Sequence, residues 1–217
     1  MGKKAILFDL DGTLTDSGEG IMNCAGTALQ HFGIEVADRQ DLAQFVGPPP
    51  RKTFRKFGVP ADQIEEAIRI YRREYALTGK YENFPYPGIR ELLVKLKNAG
   101  YLLYVATSKP QHFAVDILEH FGLADCFELI AGAIADGNRD VKHEVIAYVL
   151  EQIGPCDSTI MVGDTIFDVD GAAVHKLPTV GVSWGYGNAD EMKNAGAIAI
   201  ADNMDELFAI LTKEKVC

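Results

Sequence analysis

Three features of the chain predict an α/β protein. An apolar strand stands at its start, short apolar strands alternate with amphipathic helices from about residue 84 onward, and a strand-free helical stretch lies between them. Strands that are apolar throughout are buried on both faces, so the sheet is expected to be parallel, Rossmann-like and covered by helices on each side. The core is assigned to residues 1–16 and 83–217, and the inserted all-helical module to residues 17–82.

Lys4 to Phe8 is the first strand, bulky and apolar, with charge only where it begins. It runs into Asp9-Leu10-Asp11-Gly12-Thr13. In extended chain, residues i and i+2 point the same way, so Asp9 and Asp11 are expected to aim two carboxylates into one small volume. Like charges that close are costly unless a cation sits between them or one keeps its proton. Taken alone, the stretch reads equally as a strand end with an Asx-Gly turn.

The inserted module begins with Ile21, Cys24, Ala25, Ala28, Leu29 and Phe32 at helical spacing, ending at Gly33. A short helix over Asp41 to Val46 precedes the rigid Gly47-Pro48-Pro49-Pro50 turn. Arg51 to Phe57 is a second helix. A longer one starts at Ala61, with Ile64, Ala67, Ile68, Tyr71 and Tyr75 as its apolar stripe. Asn83 to Gly88 is the return linker. After it come a helix through Ile89 to Leu96, a strand over Tyr101 to Ala106 and a helix over Gln111 to His120. A strand around Phe127 to Ala131, a helix over Lys142 to Ile153 and a strand over Thr159 to Val162 follow. The series ends with a helix over Asp168 to His175, a strand over Thr179 to Val182, a short helix over Asp190 to Asn194, a strand over Ala197 to Ile200 and a helix from Asp205. Ligands of such sheets sit at the carboxyl ends of the strands. Asp9, Asp11, Thr107 and Asp164 all fall there.

Composition narrows the class. The chain has 217 residues, 47% of them hydrophobic and 24% charged, enough for a full core. A net charge of -10 argues against a nucleic-acid polymer as partner. The four cysteines, Cys24, Cys126, Cys156 and Cys217, show neither disulfide nor zinc spacing. No apolar run approaches membrane-spanning length and no secretory h-region leads the chain, so a cytoplasmic location and no membrane partner are expected.

Four pieces in fixed order carry a resemblance: Asp9 and Asp11, then Thr107, then Lys142, then Gly163-Asp164-Thr165-Ile166-Phe167-Asp168. Together they resemble the motifs of the haloacid dehalogenase superfamily in its phosphatase branch, over nearly the whole chain. Phe45 to Arg51, Tyr81-Glu82-Asn83, Thr107 to Pro110 and Trp184-Gly185-Tyr186-Gly187 resemble the phosphoglycolate phosphatases and bacterial 5'-nucleotidases of that branch. The resemblance implies a phosphomonoesterase in which Asp9 attacks phosphorus to give an aspartyl-phosphate, and Asp11 is general acid and base. It further implies Mg2+ held by Asp9, Asp11 (through its carbonyl), Asp164 and Asp168, all oxygen donors. Thr107 and the Ser108 amide would bind phosphate, with Lys142 supplying positive charge. The helical insert becomes a cap domain acting as a lid, from which Arg51 could reach a small phosphorylated metabolite; Arg51 reads equally as a solvated helix-start cation. His143, which stands where many relatives have proline, is expected at the surface. A monomer or homodimer is expected. A phosphomutase shares all four motifs, and a phosphoacceptor or metal-binding regulatory module also places acids, Thr and Lys at strand ends. No P-loop or dinucleotide fingerprint appears.

Overall fold

The structure is a computed structural model and describes residues 3–134 and 139–213; Cys217 lies outside the described residues. The chain divides into two compact units, Asp16–Phe84 and the remainder, Met1–Thr15 with Pro85–Cys217.

Strand β1 (Lys4–Phe8) leads into a two-residue strand β2 (Thr15–Asp16), where the chain leaves the first unit. The helical unit contains α1 (Gly18–His31), a 3-10 helix over Arg39–Phe45, α2 (Pro50–Lys56), α3 (Ile64–Leu77) and a 3-10 turn over Gly79–Tyr81. Its interior is built from Ile21, Cys24, Ala25, Ala28 and Leu29 of α1, Ile64, Ala67, Ile68 and Tyr75 of α3, and the Phe45–Phe54 ring pair, 4.8 Å between centroids. The 3-10 segment begins where Asp38 caps Gln40, and it stays too short and too tight for the α-helix the sequence suggested. Helix α3 starts three residues later than its apolar stripe suggested, because Pro60 to Gln63 is used as a turn, with the Gln63 amide bonded to the Pro60 carbonyl at 2.9 Å.

The chain returns through β3 (Phe84–Pro85), which pairs with β2. Then follow α4 (Ile89–Asn98), β4 (Tyr101–Pro110), α5 (Gln111–His120), β5 (Leu129–Ala133), α6 (Lys142–Ile153), β6 (Ser158–Gly163), α7 (Ile166–Ala173), β7 (Thr179–Val182), α8 (Ala189–Asn194), β8 (Ala199–Ala201) and α9 (Met204–Thr212). The six long strands pair in the order β5-β4-β1-β6-β7-β8, each neighbouring pair parallel.

Alternation along β1 sends residues to both faces. Ile6 and Phe8 pack with Leu103, Val105, Ile160 and Val162 against Leu92, Leu93 and Leu96 of α4 and Leu207 and Leu211 of α9. Ala5 and Leu7 pack with Tyr104, Ala106 and Met161 against Val145, Ile146 and Val149 of α6. Burial of each such side chain contributes about 1.5–3 kcal/mol, which is why Ala5 to Phe8 of β1 and Ile160 to Val162 of β6 are uniformly apolar. Strand β1 lies between β4 and β6, so the connections leave it in opposite directions along the sheet. That switch point opens a crevice beyond the carboxyl ends of these three strands.

Two boundaries bear on the site. Strand β4 continues past Ala106 to Pro110, with its register against β5 shifted between those two residues. Helix α7 begins at Ile166 rather than Asp168, because Thr165 and Asp168 cap each other's backbone and make Asp168 the third helical residue.

Candidate active site

Asp9 directly follows β1, and its amide still donates to the Val162 carbonyl of β6 at 2.9 Å. The chain then turns on one acceptor: the Leu10 carbonyl receives the amides of Thr13, Leu14 and Thr15 at 3.2, 2.9 and 3.1 Å. Gly12 has φ +79°, and a Cβ there would lie 2.2 Å from Asp164 Oδ2, so backbone and space both require glycine.

Asp9, Asp164 and Asp168 come together beyond the ends of β1 and β6. Each is buried, and one carboxylate oxygen from each lies within 4.8 Å of the others. Lys142, at the start of α6, places its Nζ 2.7 Å from Asp9 Oδ1 and 2.8 Å from Asp168 Oδ1, and donates to the Ala106 carbonyl at 3.0 Å. The other oxygen of Asp168 accepts from the Thr165 amide and hydroxyl at 3.0 and 2.9 Å. Asp164 accepts from the Thr13 hydroxyl at 3.1 Å and the Tyr186 amide at 2.9 Å. The loop carrying Tyr186 approaches so closely that a Cβ on Gly185 would meet the Asp164 carboxylate at 2.3 Å. Trp184 ties the same loop to the Asp9 turn by donating its indole N–H to the Thr13 carbonyl at 3.2 Å.

Three carboxylates are thus buried together while one ammonium group pairs with only two of them, Asp9 and Asp168, and the imbalance shows in their affinity for protons. Burial pushes Asp9 up to about 6 against the opposing pull of Lys142, with Asp168 adding to the rise. Asp164 is pushed up to about 8 by burial and then by the charges of Asp168 and Asp9. Burial works against the charge on Lys142, but Asp168 and Asp9 outweigh it and hold its proton more tightly than usual. An all-oxygen, buried donor set in which three carboxylates outnumber one ammonium group fits a hard divalent cation such as Mg2+.

Thr107, buried in β4, hydrogen-bonds Asp9 through its hydroxyl, and Ser108 beside it is half-buried. The Asp11 carboxylate stands outside the cluster of three. Both its oxygens accept from Lys109 Nζ at 2.8 Å, and only 5% of the Lys109 side chain is exposed. Lys109 was not singled out from sequence, although two-residue periodicity sets it on the same side of β4 as Thr107. Arg51 belongs to the helical unit, where it is exposed on α2 and ion-paired with Glu65. His143 is exposed.

The family description of haloacid dehalogenase-like hydrolases matches residues 6–182. A 5'-nucleotidase of Pseudomonas aeruginosa is 41% identical over 190 residues, covering 87% of this chain and 86% of that protein. A protein of Mycobacterium tuberculosis named tyrosine-protein kinase PtkA is 44% identical over 205 residues, covering 93% of this chain and 70% of that one. Phosphoglycolate phosphatases are among the more distant relatives. The crystal structure of a predicted phosphatase from Clostridium acetobutylicum superposes with a TM-score of 0.90 at 44% identity, covering 95% of this chain and 97% of that one. With the family's description matched across β1 to β7, a span that contains the whole acidic cluster, this chain belongs to the haloacid dehalogenase-like hydrolases.

Proposed function

We propose that this protein is a Mg2+-dependent phosphomonoesterase acting on a small phosphorylated metabolite, in the manner of a phosphoglycolate phosphatase or 5'-nucleotidase. The observation that carries the reading is the meeting of Asp9, Asp164 and Asp168 at the switch point of the sheet, with Lys142 pairing with Asp9 and Asp168.

Asp9 attacks phosphorus through a carboxylate oxygen as the ester P–O bond breaks, leaving an aspartyl-phosphate. Asp11 gives the departing oxygen its proton, then takes one from the water that attacks the phosphorus and releases Asp9. The Thr107 hydroxyl, the Ser108 amide and Lys142 bear on the phosphoryl oxygens, where charge accumulates during transfer. Asp9, the Asp11 carbonyl and Asp164 would hold Mg2+, with Asp168 orienting this set through Lys142 and Thr165. When bound, the cation neutralises the phosphoryl group and keeps Asp9 ionised.

The helical unit, residues 17–82, serves in this reading as a lid that excludes water and reads the leaving group, with Arg51 as a candidate contact. The protein is read as cytoplasmic and as a monomer or homodimer; no helix among the described residues is long and apolar enough to cross a membrane.

Hydrolysis of p-nitrophenyl phosphate is expected with Mg2+, and its loss with EDTA and in Asp9→Asn. A panel of phosphoglycolate, nucleoside monophosphates, sugar phosphates and pyrophosphate, ranked by kcat/KM, then assigns the substrate. Phosphate moved to a second hydroxyl of the same sugar would indicate a mutase. Stable phosphorylation without turnover would indicate a regulatory phosphoacceptor, and ATP-dependent tyrosine phosphorylation a kinase.

A further inference from the structure

We propose that Lys109 is a positioning residue for Asp11. It holds that carboxylate out of the Asp9–Asp164–Asp168 cluster and in the orientation from which it exchanges protons with the leaving group. The proposal rests on the phosphomonoesterase reading above.

Asp9 and Asp11 are two residues apart, yet their carboxylates face different cations. Lys142 lies 2.7 Å from Asp9 and 2.8 Å from Asp168, whereas Lys109 meets both oxygens of Asp11 at 2.8 Å. A contact shared equally by both oxygens centres the ammonium group on the Asp11 carboxylate and fixes the direction in which it points. Were Asp11 to turn into the cluster, a fourth negative charge would join three buried carboxylates, only two of which pair with an ammonium group. Lys109 removes that alternative by offering its own buried positive charge.

The backbone around Lys109 is built to hold this pose. Where β4 shifts register against β5, the Lys109 amide donates to the Thr107 hydroxyl oxygen at 3.2 Å. Gly132 of β5 packs so tightly that a Cβ there would lie 2.5 Å from the Lys109 carbonyl oxygen. Arg139, itself buried, bonds the Gly132 carbonyl at 2.8 Å and the Gln111 side chain at 2.5 Å, joining β5 to the start of α5 just past Lys109. A bulge, a glycine contact and a buried guanidinium thus set the lysine in place before it meets Asp11.

The test exploits leaving-group chemistry. An alkyl phosphate needs its departing oxygen protonated, while p-nitrophenolate leaves with little help. Asp11→Asn should therefore lose far more kcat/KM on the best alkyl ester of the metabolite panel than on p-nitrophenyl phosphate. Lys109→Met should follow the same profile, falling about 10- to 100-fold on the alkyl ester, within the range of a misplaced general acid, and by a much smaller factor on the aryl ester. Lys109→Arg should recover most of the loss, and Lys109→Met placed in Asp11→Asn should add less than about threefold. Should Lys109→Met fail to fold, Lys109→Gln carries the same comparison. Equal losses on the two esters, losses that multiply with Asp11→Asn, or no recovery by arginine would overturn the assignment. Inactivity of the unmodified protein on every ester would overturn the underlying reading, and the assignment with it.

Discussion

Both units of this protein carry ion pairs at the surface, but among the described residues only the α/β unit also buries charged groups. In the α/β unit the charged groups Asp9, Lys109, Arg139, Lys142, Asp164 and Asp168 are buried. In the helical unit the ion pairs Arg39–Glu19, Arg69–Glu66 and Arg73–Glu74 lie at the surface, with side chains 26% to 61% exposed. Surface pairs lose little water and contribute little; buried charges cost several kcal/mol each unless neighbours offset the loss of hydration. Retaining such a cluster works against stability, so the difference is what the proposed function, with its chemistry in the α/β unit, requires.

The largest expected effect is on rate. Asp9→Asn should lower kcat for p-nitrophenyl phosphate by at least ~10³-fold while leaving the fold intact by circular dichroism, since one of three repelling carboxylates is removed; retained activity would break the contrast between the units at its centre.

Next comes stability. Lys142→Met leaves Asp9 and Asp168 buried without their ammonium partner, and breaking such a pairing costs about 3–5 kcal/mol. A drop in thermal midpoint that is smaller in Mg2+ than in EDTA is expected.

A third effect links pH to metal. Folding raises the proton affinity of Asp9 to about 6 and of Asp164 to about 8, above the ordinary carboxylate value. Groups raised in the folded state favour it when protonated, so their contribution is full at low pH and is lost as pH rises through about 6 and then about 8. In EDTA the thermal midpoint should therefore fall across that window, and Mg2+ should flatten the decline. A midpoint indifferent to pH in EDTA would count against the charge imbalance.

The smallest effect closes the series. Arg69→Met removes an exposed pair of α3 and should leave both the thermal midpoint and kcat unmoved; a clear loss in either would show the helical unit's surface charges to be engaged after all.

Much of the site was legible as spacing. Asp9 at the end of an apolar run, Thr107 at the end of another and Asp164 at the end of a third are places where a buried strand stops paying for apolar residues. Lys142 was legible through family resemblance, because nothing local favours a lysine at a helix start. Lys109 was not found, although it stands two residues from Thr107 on the same side of β4. Strand period predicts that Lys109 is buried, but its partner lies 98 residues away, and no local rule links the two.

Sequence by itself determined the strands and helices, their apolar faces and the insertion after β1, because those depend on periods of two and 3.6 residues within one segment. It also determined which carboxylates arrive at strand ends. Tertiary structure alone decided which cation each carboxylate meets, where α7 begins and how β4 bends past Ala106. Those outcomes follow from parallel pairing of strands far apart in the chain and from the cost of burying unmatched charge, neither of which a local pattern encodes.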